Sequence, residues 1–296
     1  MNKIKKIIKK VFSLIFPAPV VKAEITCLSE NELLKGRTAL ITGGTSGIGF
    51  QIARSYLNAG CRVVITGRSQ ARLDIAYNKL VAENPDWKNR LFLCEMDVSN
   101  VSSIKSIFKQ LVKNVGQIDI LVNNAGVDYG HINNCTEEKF DEIINTNIKG
   151  LFFLSREVSS YMIRNKIKGN ILNVCSSCSI LPANSAYSIS KWSVRGFTEG
   201  LARMLIPHHI VVNGIAPGMT ATPLVNKEDS NDDLYLENSL EKRYAVPEEI
   251  SNMAVVLVSN MSRMVVGDIV YMTGGSGIIY QEDVNYNFDF DLNIME

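Results

Sequence analysis

The segment Tyr187-Ser188-Ile189-Ser190-Lys191 sets a phenol and an ammonium four residues apart. On a helix that spacing puts both on one face, where the pair can give a proton to a bound oxygen or take one from it. A phenol of ordinary pKa about 10 exchanges protons poorly near neutrality. Bringing it to about 7 needs roughly 4 kcal/mol of preferential phenolate stabilisation, at about 1.4 kcal/mol per unit. One ammonium about 4 Å away, at an effective dielectric near 20, supplies on the order of 4 kcal/mol. Lys191 is therefore large enough for the task, whereas burial without a cation would push the phenol the other way. With ten tyrosines and 19 lysines in the chain such a pair also arises by chance, so its position has to carry the argument.

A second chemistry is written in Thr42-Gly43-Gly44-Thr45-Ser46-Gly47-Ile48-Gly49. Glycines at 43, 47 and 49 let the backbone turn sharply and approach a pyrophosphate, whose charge amide N–H groups and a helix dipole then stabilise. An apolar run precedes this loop and an amphipathic stretch from Phe50 follows it, which is the context a dinucleotide-binding loop requires.

Both features need a frame. From Gly36 onward, short β-branched runs at 38–42, 62–66, 90–94, 118–122, 170–174, 210–215 and 268–272 alternate with longer amphipathic stretches such as 47–59, 99–115, 136–164 and 186–206. This alternation predicts βαβ units and one α/β domain, a doubly wound, seven-stranded parallel sheet of Rossmann type with helices on both faces. The tyrosine and lysine open the helix after the fifth run, at the edge where ligands bind in such sheets, and Ser176 lies at the end of that run. The stretch 223–246 interrupts the rhythm and is either a substrate lid or a surface helix pair.

The loop spacing is T-G-x-x-x-G-x-G, and with Tyr-x-x-x-Lys and Asn123-Asn124-Ala125-Gly126 it resembles the short-chain dehydrogenase/reductase family over about residues 35–277. The resemblance implies an enzyme that interconverts a carbonyl and a secondary alcohol by hydride transfer to or from NAD(P)(H), with Tyr187 as the general acid/base. It implies that Lys191 also binds the nicotinamide ribose, that Ser176 hydrogen-bonds the substrate oxygen, and that Asn147 positions a water linking Lys191 to solvent. Ser177 is the other candidate for the serine; an offset of three from Asn173 favours Ser176, and either may simply cap the strand. Cofactor contacts are implied at Gly43, Thr45, Ser46, Gly47, Ile48 and Gly49, at Asp97 and Val98, at Asn124, Ala125 and Gly126, at Tyr187 and Lys191, and at Pro217, Gly218, Thr220 and Thr222. Asp97 otherwise serves as a helix cap near Ser99, and Thr222 is the best match to the threonine that reaches the phosphates. After the second run, Thr66-Gly67-Arg68-Ser69 lacks the acid that would chelate the ribose of NAD(H), while Arg68 can pair with a 2′-phosphate. This favours NADP(H) and leaves NAD(H) open, because Ser46 stands where members preferring NADP(H) often carry a base. A dimer or tetramer is implied as well. A silent cofactor-binding scaffold, or epimerisation or dehydration on the same fold, stand as alternatives.

A net charge of +1 over 296 residues gives no nucleic-acid footprint. Its distribution is uneven: residues 1–22 carry six lysines and no acid, and 278–296 five acids and no base. Residues 1–34 and 278–296 are therefore expected to be extensions of a 35–277 domain. Ile4, Ile7, Ile8, Val11, Phe12 and Ile15 fall at helical spacing among lysines, a basic amphipathic pattern that suits an anionic membrane surface or a partner through residues 1–16, or else a poorly ordered basic tail, or a stripe packed on its own or a neighbouring subunit. The apolar run before Pro17 is far too short to span a bilayer. The six cysteines are scattered, and Cys175 and Cys178 lack a second pair, so no metal site and a reduced, cytoplasmic setting are expected.

Overall fold

In the computed structural model, which describes residues 32–128, 130–223, 234–236 and 239–276, the seven apolar runs become β1 (Thr38–Ile41), β2 (Arg62–Gly67), β3 (Leu91–Glu95), β4 (Ile120–Asn123), β5 (Asn170–Val174), β6 (Val211–Pro217) and β7 (Ile269–Met272). They form one sheet in the order β3-β2-β1-β4-β5-β6-β7, parallel throughout. The order reverses between β1 and β4, which opens a crevice at the carboxyl ends of those two strands.

Both faces of the sheet are covered, so successive strand residues are buried in opposite directions. Ala39 and Ile41 pack into one core, under α1 (Gly47–Asn58), α2 (Gln70–Glu83) and α7 (Pro247–Val258). Leu40 packs into the other, under α3 (Val101–Val115), α5 (Leu151–Arg164) and α6 (Ala186–Leu205). All three are fully buried, and a fully buried Leu or Ile contributes about 1.5–3 kcal/mol. Beneath the sheet, at the opposite end from the crevice, Arg37 bonds the carbonyls of Val258 and Asp119 and the Asn170 side chain.

The stretch expected to be one helix over 136–164 is divided. It begins as α4 (Glu137–Ile144), capped by Thr136, widens into a π-helical turn over Asn145–Gly150, and resumes as α5. The wide turn sits where Gly150 presses on β3's exit: a Cβ on Gly150 would lie 2.5 Å from the Val98 carbonyl oxygen. Wide turns of this kind are common at functional sites, and this one buries Asn147.

The basic amphipathic pattern, the acidic end and residues 224–233 and 237–238 of the irregular stretch lie outside the described residues. Of that stretch, Tyr235 pairs with Arg243 and Ala245 with Thr220. The returning chain is fixed where α7 begins: Glu249 accepts from the Val246 amide at 2.9 Å, closing the helix's first turn, and Arg243 grips both Glu249 carboxylate oxygens at 2.9 and 2.7 Å. Arg243 first of all, with the Val246 amide assisting, holds the Glu249 carboxyl down to about 2.

A carboxyl depressed on folding stabilises the protein above its unfolded pKa and loses that contribution as pH falls through the folded value. The melting temperature of wild type should exceed that of Glu249→Gln by a constant margin above pH ~5, shrinking between about 4.5 and 2. A margin independent of pH across that window would show that the ion pair does not hold this helix start.

Candidate functional site

A cleft of about 950 Å³ runs along the carboxyl edge of the sheet, lined by residues from the ends of β1, β2, β4, β5 and β6, from the segment after β3, and from the start of α6. At its floor is the glycine loop. Gly43 and Gly47 have φ of +65° and +55°, open to glycine at little cost. Helix α1 begins at Gly47 behind Ser46, whose side chain makes no cap bond, and its first turn carries no acid, so the leading amides are left to an external anion. Thr222 stands over the loop, 3.5 Å from where a Cβ on Gly47 would be.

Side chains from the next strand fix the loop in place. Asn124 donates its side-chain amide to the carbonyls of Thr42 and Gly43 at 2.9 and 3.1 Å, and the backbone amides of Asn124 and Ala125 both donate to the Thr42 hydroxyl. Gly49 packs behind this joint, where a Cβ would fall 2.3 Å from both the Asn124 amide nitrogen and the Gly43 oxygen. Asn123 points the opposite way, donating to Ser155 and to Asn173, which in turn donates to Thr198 on α6. One asparagine of the pair thus organises the loop and the other ties the strands to the helix beyond.

Helix α6 begins with a serine capping box. Ser185 accepts from the Ser188 amide at 3.1 Å while the Ser188 hydroxyl accepts from the Ser185 amide at 3.0 Å. That places Tyr187 in the first turn, with Ser176 opposite it at the end of β5; the serine hydroxyl favours the phenolate form of Tyr187. Lys191, 6% exposed, donates to the Val174 carbonyl at 2.8 Å, and its Nζ lies 5.5 Å from the centre of the Tyr187 ring.

Asn147 lies behind the cleft wall. Its side chain exchanges two bonds of 2.9 Å with the Val127 backbone and donates to Ser190 at 3.0 Å, and Ser190 donates to the Tyr187 carbonyl at 2.6 Å. The carboxamide is thus engaged in bracing the turn that holds the tyrosine.

The electrostatic balance differs from the simple pair expected from spacing. Burial, not Lys191, dominates Tyr187 and pushes its phenol well above the ordinary value; Ser176 works downward, and Asp128 and the two nearby thiols add to the rise. Burial likewise lowers the Lys191 ammonium, against Cys175, Cys178 and Asp128, which favour its charge. Burial also pushes the Cys175 thiol up to about 11, which makes it an inert neighbour of Ser176. Ammonium and phenol share one desolvated space, and the phenolate's loss of water outweighs a cation that is itself bound to a carbonyl.

Of the residues expected to hold a cofactor, those of the glycine loop from Gly43 to Ile48, Arg68, Asp97, Val98, Asn124, Ala125, Gly126, Tyr187, Lys191, Pro217, Gly218, Thr220 and Thr222 line the cleft together with Ser176. Gly49 and Asn147 do not; both act from behind the wall. Asp97 binds the Ser99 amide and hydroxyl through one carboxylate oxygen, at 2.9 and 2.7 Å, so it shapes the turn before α3 while lining the cleft. The helix cap itself falls to Asn100.

Sequence reasoning missed Thr66 and Arg72 at the Arg68 end, and Asp128, Cys178, Asn184 and Met219 at the tyrosine end. His131 is on a loop and lines the cleft, its backbone paired with Ser185. Arg72 had a signal, one helical turn beyond Arg68; the others lie on loops where spacing says nothing. Thr66 bears on cofactor fit, because it borders the cleft and its buried hydroxyl has no protein partner. Together with uncapped α1 amides and a glycine floor, it fits a phosphate-bearing dinucleotide.

A doubly wound sheet carrying a dinucleotide cleft with a half-buried tyrosine and a buried lysine at one end defines a nicotinamide-dependent oxidoreductase. The chain belongs to the short chain dehydrogenase family, whose model matches residues 37–233. It is 32% identical over 246 residues to the 3-oxoacyl-(acyl-carrier-protein) reductase of Thermotoga maritima, covering 82% of this chain and 98% of that protein. It is similar to the solved gluconate 5-dehydrogenase of Burkholderia cenocepacia in complex with NADP and tartrate, at 28% identity and TM-score 0.73, over 83% of this chain and 97% of that one. It is also similar to the 3-ketoacyl-(acyl-carrier-protein) reductase of Brucella melitensis complexed with NADH, at 26% identity and TM-score 0.74, over 82% and 99%. The chain is an NAD(P)H-dependent enzyme that interconverts a carbonyl and an alcohol.

In the absence of nucleotide, the tyrosinate absorbance that separates wild type from Tyr187→Phe should appear only above the ordinary phenol value of about 10. Adding NADP+, with its positive nicotinamide ring, should move that titration downward. Ionisation of Tyr187 near neutrality in the nucleotide-free protein would overturn the dominance of burial.

Proposed function

We propose that this chain uses NADP(H) in preference to NAD(H), and that Tyr187 is its general acid/base, assisted by Ser176, Lys191 and Asn147. When bound, the nicotinamide supplies or accepts the hydride. Tyr187, kept protonated at neutral pH by burial, gives its proton to the substrate oxygen as that oxygen gains negative charge, and recovers it in the reverse direction. Ser176 donates to the same oxygen and fixes its position. Lys191, held by the Val174 carbonyl, favours the phenolate that the proton transfer leaves behind. Asn147, through Ser190, keeps the first turn of α6 in register with the segment after β4.

The observation that carries this reading is the convergence of Ser176, Tyr187 and Lys191 in the same cleft as the glycine loop and Arg68. The NADP(H) preference rests on Arg68, at the end of β2, and on the absence of an acid at that strand end. Arg72, beside it in the cleft, adds a second positive charge. Assembly into a homodimer or homotetramer is supported by exposed apolar side chains on α5 and α6, where Phe152, Ile189 and Trp192 are 45%, 45% and 41% exposed. Among the described residues no helix is long and apolar enough to cross a membrane.

In a cofactor-oxidation screen over ketones, aldehydes, sugars and acyl thioesters, Tyr187→Phe should lower turnover of any accepted substrate by about 10²–10⁴-fold while still binding NADPH. A mutant matching wild type would sink the proton assignment. Arg68→Asp should reduce the ratio of catalytic efficiency with NADPH to that with NADH; an unchanged ratio would remove Arg68 from the cofactor argument.

A further inference from the structure

We propose that Glu142 tunes the discrimination between NADP(H) and NAD(H), by holding Arg68 across the adenosine end of the cleft until a 2′-phosphate takes its place. The inference rests on Arg68 being the residue that meets that phosphate.

Arg68 leaves the end of β2 and lines the cleft, with 59% of its side chain exposed. Its Nη1 lies 4.0 Å from Oε1 of Glu142 on α4. Glu142 does not line the cleft itself, but Thr146, one helical turn further on, does, together with Asp97 and Val98. The wide turn that continues this helix presses on the Val98 carbonyl through Gly150. The ion pair therefore joins the β2 side of the cleft to the helix that covers the exit of β3.

The two halves of the pair are not held equally. The other oxygen of Glu142 bonds Lys139, one turn earlier on the same helix, at 2.7 Å, so the carboxylate is anchored within α4. Arg68 is the longer, more exposed and more distant partner. An exposed pair at this separation is weak, and Arg68 can leave it without stranding Glu142, which keeps Lys139. A phosphate monoester brings close to two negative charges and three acceptor oxygens at neutral pH, and a guanidinium meets it with two parallel bonds. NADP(H) can thus draw Arg68 away from Glu142, while NAD(H), with a hydroxyl at that position, leaves the pair as it is. Glu142 opposes one cofactor and is indifferent to the other.

The test is the dissociation constant of the full chain for NADPH and for NADH, followed by nucleotide fluorescence, in wild type, Glu142→Gln, Arg68→Ala and the double variant. Glu142→Gln should raise the ratio of NADPH to NADH affinity about threefold, with most of the change in NADPH, and should have no such effect in the Arg68→Ala background. The same gain in both backgrounds would mean that Glu142 repels the phosphate directly, and would overturn the role given to the pair. No gain in wild type, while Arg68→Ala still lowers the ratio, would overturn the inference and leave the NADP(H) reading standing. A ratio unmoved by Arg68→Ala would remove both.

Discussion

A buried ammonium governs the catalytic end of this molecule. Lys191 carries its charge into the interior, where an unpaired cation would be costly, and the Val174 carbonyl at 2.8 Å is what it finds there. That bond dictates much of the surrounding structure. β5 must stop at Val174 so that its last carbonyl is free for a side chain, and α6 must start where Lys191, in its second turn, reaches that carbonyl. The serine box at Ser185 and Ser188 sets the start of the helix, and Ser176, just beyond the strand, then falls opposite Tyr187. Burial disfavours the charged form of both groups, while the Asp128 carboxylate favours the ammonium and disfavours the phenolate. The same desolvated space therefore keeps the tyrosine protonated and makes the bond to Val174 matter to the lysine.

The cofactor end is built on the opposite plan. There the protein offers amides, hydroxyls and glycine space, with charge confined to Asp97, Arg68 and Arg72. Its rigidity comes from polar side chains bonded to backbone across long sequence intervals, such as Asn124 to Thr42 and Gly43. The loop's shape is thereby set from outside the loop, by a strand eighty residues away in the chain. Asn147 does the corresponding work between the segment after β4 and α6. The two ends of the cleft meet through the asparagine pair at 123 and 124, one serving each.

The sheet was legible in the sequence because parallel strands buried on both faces are short apolar runs, and the order of motifs at their ends could be matched to a family. The loop from Gly43 to Gly49 and the pair at Tyr187 and Lys191 were legible for the same reason, since each lies at a strand end or helix start. Four things were not. The division of 136–164 by a wide turn leaves no trace in hydrophobic spacing, because Gly150 is demanded by the approach of Val98, a contact across the fold. The direction of the Tyr187 shift depends on how deeply both partners are desolvated, and spacing is silent on depth. The loop residues Asp128, His131 and Asn184 share no periodicity, so only the folded chain brings them to the cleft. Arg68 lines the cleft, but its attachment to Glu142 joins elements with no pattern in common.

The Arg37 clasp beneath the sheet has a kinetic meaning. Its bonds reach residues 82, 133 and 221 positions away in the chain, so they can close only after β1, β4, β5 and α7 have already come together. Contacts of such long range do little to speed the search for the fold. Where such bonds close after the transition state, they slow unfolding rather than speed folding. They also lie at the far end of the sheet, where a lock of this kind leaves the edge that holds the chemistry unconstrained.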